Sequence, residues 1–131
     1  MLRVIEKVLS DPIRMIPKPG VRFVPGMVVR SATLEDGTLV CDVSDGRSIL
    51  GIVENECEVD ELSFHRANMV KVWAQKMVFR TTRYEGKFRP GGPVYVRDGM
   101  LTADKPFENA MCVARTTGTP EDLGQLEAVW I

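Results

Sequence analysis

Short runs of β-forming residues recur along the chain, and turn residues close most of them. Between Arg89 and Thr102, Gly91-Gly92-Pro93 makes a turn and Val94-Tyr95-Val96 a strand. Asp98-Gly99 then supplies the φ > 0 positions of a tight hairpin, and Met100-Leu101-Thr102 runs back. Upstream, Met27-Val28-Val29 is a strand. Asp36-Gly37 turns into Thr38-Leu39-Val40-Cys41, and Asp45-Gly46 turns into Ser48-Ile49-Leu50-Gly51-Ile52-Val53. This pattern predicts a meander of three strands, with Gly51 marking a bulge or a barrel corner.

Two periods compete between 66 and 77. Met69, Val70, Trp73, Ala74 and Met77 fit helical spacing, whereas Val70, Val72 and Ala74, and then Met77, Phe79 and Thr81, alternate as strands do. The phase changes near Gln75. β-former enrichment from Val78 to Tyr84 decides for two strands, with a helical turn before Met69 as the alternative. Downstream, Ala110 to Ala114 reads as a strand and Thr116 to Gly124 as a loop. Leu126, Ala128 and Trp130 alternate along a last strand that must be tied into a sheet or a contact. The strands together predict an all-β fold, a small β-barrel over residues 27–131.

Residues 1–26 have a different character. Leu2 to Leu9 reads as a strand, but Pro12, Pro17, Pro19 and Pro25 are half of the 8 prolines of the chain. They remove N–H donors and favour extended backbone. The segment is expected to be an extended arm, wrapped over its own domain or docked on a neighbouring subunit. Ile13, Met15, Ile16 and Val21 would give a docked arm its apolar anchors.

Composition narrows the class. A chain of 131 residues with 44% hydrophobic and 27% charged residues is about one soluble domain. A net charge of −1 argues against general nucleic-acid binding. No apolar run approaches the roughly 20 residues of a transmembrane helix, and the charged start MLRVIEKVLSD does not read as a signal peptide. Cys41, Cys57 and Cys112 are an odd number without close pairs, which points to reduced, mostly buried thiols, with one disulfide in an assembled particle as the alternative. The charge is unevenly laid out. Residues 1–34 and 62–97 are basic, with six and eight Lys/Arg against two and one Asp/Glu; residues 35–61 carry nine acids and one Arg. Folding either interleaves these blocks or leaves opposed patches suited to head-to-tail or partner contacts.

Candidate chemistry is sparse. Glu54, Glu56, Glu58, Asp60 and Glu61 lack the alternation, central Gly and terminal Glu of a calcium loop. Cys57 and His65, the one histidine, are too few and too far apart for a zinc site. Neither a Cys57–His65 dyad nor Ser63 or Glu61 acting with His65 is supported by any feature that holds the groups together, and no nucleophile elbow, phosphate loop or dinucleotide fingerprint occurs. A non-enzymatic protein without metal or cofactor is expected.

The order of segments resembles small structural proteins of tailed bacteriophages, most of all capsid cement or decoration proteins. Three stretches carry the resemblance: Pro25 to Val29 with the following Asp-Gly hairpin and Ile49 to Val53; Pro90 to Val96 with Asp98 to Thr102; and Ala110 to Arg115 with the apolar end Val129-Trp130-Ile131. The arm lies outside it, and the acidic loop has no counterpart. The resemblance implies a β-barrel or β-tulip-like domain, assembled in the host cytoplasm and bound to the major capsid protein or other virion proteins, as a monomer or trimer. Ile13, Met15, Ile16, Val21, Phe23, Trp130 and Ile131 are then the contact candidates. A neck, tail or baseplate position, or a cellular β-barrel binding module, is the alternative.

Overall fold

The computed structural model describes residues 1–7, 11–122 and 124–131, and the side chains of all of these except 6, 7 and 118–122. Its strands are β1 (Leu2–Lys7), β2 (Ile13–Met15), β3 (Val28–Thr33), β4 (Leu39–Val43), β5 (Gly51–Val53), β6 (Val70–Trp73), β7 (Met77–Thr81), β8 (Tyr84–Glu85), β9 (Pro93–Arg97), β10 (Met100–Thr102), β11 (Ala114–Asp122) and β12 (Gln125–Trp130). The one helical element among the described residues is a 3-10 turn at Arg66–Asn68. The fold is all-β, as the patterning predicts.

The strands form two open sheets, in the orders β1-β7-β12-β11-β9-β10-β8 and β2-β6-β5-β3-β4, and no closed barrel is present among the described residues. The expected meander is also reordered. Asp36-Gly37 does join β3 to β4 as a hairpin, with Leu34 N–H bonded to the Thr38 carbonyl. The next segment, however, crosses to the far side of β3, so β5 pairs with β3 and not with β4. Ser44 holds that crossover: its hydroxyl donates to the Ser48 carbonyl at 2.7 Å and accepts from Gly46 N–H at 3.1 Å.

Side-chain alternation explains the layers. In the five-stranded sheet Val28, Ile52 and Trp73 face the larger sheet, where they meet Met77, Phe79, Val94, Val96, Leu101, Leu126, Ala128 and Trp130. Their sequence neighbours Val29, Val53 and Val72 point the other way, into a second cluster with Phe23, Met27, Cys41 and Val70. The proline-rich segment covers that cluster. Phe23 N–H donates to the Cys57 carbonyl and Cys57 N–H returns the bond, while Gly20 N–H reaches the Val59 carbonyl. The arm therefore stays on its own domain in three parts, the first being β1, the edge strand of the large sheet paired with β7. Ile13–Met15 is the edge strand paired with β6, and 16–24 is a strap over the small sheet.

The phase change near Gln75 is the passage from the small sheet (β6) to the large one (β7), and the 3-10 turn falls before Met69. The Asp98-Gly99 hairpin forms as expected, with φ of 48° and 76°. Two expectations shift. The strand expected from Ala110 begins only at Ala114, and the loop expected from Thr116 is strand up to Asp122, paired with β12. Val8 and Leu9, expected in the first strand, lie outside the described residues.

Candidate interaction surface

β5 and β6 run antiparallel, and both ends of this pair carry exposed apolar groups. Beyond Trp73, a notch of about 350 Å³ is lined by Ile49, Leu50, Ala74, Met111, Val113 and Trp130, with Ile131 and Arg47 on its rim. Trp130, 4% exposed, forms the floor, and its ring meets Phe79 edge-on at 6.4 Å. Met111 and Ile131 stand 71% and 66% exposed above it. Backbone bonds fix the walls: Val113 N–H donates to the Val94 carbonyl, and Ile131 N–H to the Val113 carbonyl. The Arg47 guanidinium lies 4.1 Å from the Phe107 ring centroid, a cation–π contact that positions a positive charge at the notch.

At the opposite end of β6, Phe64 is 63% exposed. The turn beneath it is ordered by side chains. Ser63 Oγ accepts from His65 N–H and from the Asn68 amide, and His65 Nδ1 accepts from Ala67 N–H at 3.1 Å. The acidic stretch leads into this turn. Glu56, Glu58 and Asp60 are exposed, while Cys57 and Val59 between them are half-buried against the strap. Asn55 ties the stretch to β6, accepting from Lys71 N–H at 2.8 Å and donating to the Met69 carbonyl. Among the described residues no group of three or more His, Cys, Asp or Glu lies close enough to hold a metal ion.

The contact candidates scatter. Ile13 is 39% exposed on the edge strand, and Ile131 is exposed at the notch. Met15 and Val21 pack against the second core, Ile16 is half-buried, and Phe23 and Trp130 are core residues of this chain. Sequence reasoning missed Phe64 and Met111. Their exposure depends on where the turn and the crossover place them, although a lone Phe among polar neighbours was a readable signal. Cys57 and His65 do not meet as a dyad: Cys57 Sγ donates to the Asn68 carbonyl, and burial raises its pKa. Cys41 is pushed further, to about 12, by burial first and the neighbouring Asp42 second. Asp42 itself is nearly buried and holds the strap to the sheet, receiving Lys18 at 3.3 Å and Arg30 at 3.2 Å.

Comparison of the chain with protein-family models, with curated proteins and with solved structures gives no match.

Proposed function

We propose that this is a non-enzymatic structural protein of a bacteriophage virion, a cement or decoration protein that binds the capsid exterior and adds buried area across its seams. One observation carries the docking part of this reading: large apolar side chains stand exposed on hydrogen-bonded supports at both ends of β6, Phe64 at one and Met111 with Ile131 at the other. Monomeric proteins place single apolar residues on their surfaces freely; what supports docking is that Met111 and Ile131 meet at one notch of mixed polar and apolar lining. The resemblance of the three β segments to phage structural proteins supplies the particle, and a tulip-like form of the two-sheet body belongs to the same proposal. Repetition of modest contacts over many copies gives high avidity without catalysis.

Pull-down of the purified protein on empty capsids, on tails and without particles tests the reading. Saturable, stoichiometric binding to capsids supports decoration, binding to tails alone moves the protein to the neck, tail or baseplate, and a soluble monomer that ignores both overturns the proposal.

A further inference from the structure

Arg14 of β2 and Lys71 of β6 stand directly opposite each other in the antiparallel register. Opposed residues project on one face of a sheet, and like charges placed so repel. The turn that leads into β6 adds a third cation. His65 orders that turn, its Nδ1 accepting from Ala67 N–H, and Arg66 is the next residue. Arg14, Lys71, Arg66 and His65 line one cleft of about 550 Å³, with Asn55 and Met69. Asn55 holds the wall, its amide engaged with Lys71 N–H and the Met69 carbonyl. Among the described residues no carboxylate lines this cleft, and neither arginine nor Lys71 forms an ion pair within 4.0 Å. The acids nearby lie elsewhere. Asp11 and Glu54 line an adjoining cleft that shares Arg14 and Lys71, and Glu54 accepts from the Trp73 indole N–H at 3.3 Å. Glu56 lines a separate pocket with Arg83, and Glu58, Asp60 and Glu61 are exposed before the turn.

We propose that this cleft binds a multiply charged oxyanion, a phosphate group or a pair of adjacent carboxylates. Three cations carried by three segments, β2, β6 and the turn, line one space. An anion among them converts the Arg14–Lys71 repulsion into attraction to a shared centre. Guanidinium groups present forks of N–H donors that match phosphate and carboxylate oxygens two at a time. One carboxylate would neutralise only one of the three charges, so the cleft favours a group with two or more. The exposed acids before the turn weaken the field at the mouth, and salt at 0.1 M screens what remains over about 10 Å. Binding therefore needs close contact and is strongest at low ionic strength. Such a site is independent of whether the protein belongs to a virion.

Calorimetric titration of the purified chain at low salt tests this, with inorganic phosphate in one arm and a tetraglutamate peptide in the other. Arg14→Gln and Arg66→Gln each remove one charge; both residues are exposed, so the fold is expected to survive, as thermal melting will verify. Arg22→Gln removes an exposed charge outside the cleft and serves as the control. Wild type is expected to bind at least one of the two probes saturably, one per chain. Each cleft variant is expected to bind it at least about tenfold more weakly, and Arg22→Gln to match wild type. The bound anion is also expected to raise the melting temperature of wild type more than that of Arg14→Gln. Binding of phosphate alone supports a phosphorylated ligand in the cleft, and binding of the peptide alone supports an acidic protein segment there. No saturable binding of either probe below about 10 mM, cleft variants that match wild type, or a control that loses as much as they do would overturn the proposal.

Discussion

At Gly51 the backbone of β5 comes so close to β6 that a Cβ would lie 2.2 Å from the Trp73 carbonyl oxygen. The sequence shows a glycine inside an apolar run, which suggests a bulge or corner. The real cause is a neighbour 22 positions later, set only when β5 and β6 pair. Gly51→Ala is expected to destabilise the protein by about 2–3 kcal/mol, at the upper end of overpacking, in a denaturant titration; a loss within about 0.5 kcal/mol, the range of ordinary surface changes, would show that the approach can relax. Asp98-Gly99 was legible for the opposite reason, because its requirement is local: two successive positive-φ residues. Cys41 offers a test in pH. Its pKa is about 12 against an ordinary 9.0. An acid whose folded pKa is raised stays protonated after the unfolded chain has lost its proton. The contribution to stability is thus intact below about pH 9 and falls by roughly 1.4 kcal/mol per pH unit above it. Wild type is expected to lose more stability between pH 9 and 11 than Cys41→Ala does. At pH 8, alkylation of Cys41 should proceed at the rate of opening; rapid labelling of the folded protein would contradict the burial.

Among the elements, strands with local partners were readable and strands with distant partners were not. The β9–β10 hairpin and the alternation of Leu126, Ala128 and Trp130 follow from turn chemistry and a period of two. The order β4-β3-β5 does not, because Asp45-Gly46 turns equally well into a neighbour or a crossover, and the choice is made by packing around Ser44. The strap is the least legible element. Its prolines announce extended backbone, but only the alternation of Val29, Val53 and Val72 onto the outer face of the small sheet explains what it covers. Phe23 is its anchor. Phe23→Ala is expected to cost about 3–5 kcal/mol and to speed hydrogen exchange at the Gly20, Phe23 and Cys57 amides before those of β7 and β12. A loss below about 1 kcal/mol, with exchange unchanged, would mean that the strap adds little to the fold.

For the whole molecule, the class of fold was legible and its closure was not. Alternating short strands predict an all-β body, but the sharing of one core between two sheets, in place of a ring around it, depends on the passage at 74–76, where the phase change near Gln75 marks a break without saying that the chain changes sheet, and on the order of strands within each sheet, which no local signal specifies. The docking reading also lives at this scale. Trp130 and Ile131 were recognisable as an apolar end, yet their roles divide: Trp130 belongs to the core and floors the notch, and Ile131 stands on its rim. The decisive measurement is a binding isotherm on purified empty capsids for wild type, Phe64→Ser and Met111→Lys with Ile131→Lys. Wild type should saturate at a fixed number of copies per capsid, with affinity at least about tenfold above either variant and weaker at high salt. Binding that never saturates, or variants that match wild type, would contradict the assignment of these two ends as docking surfaces of a virion protein.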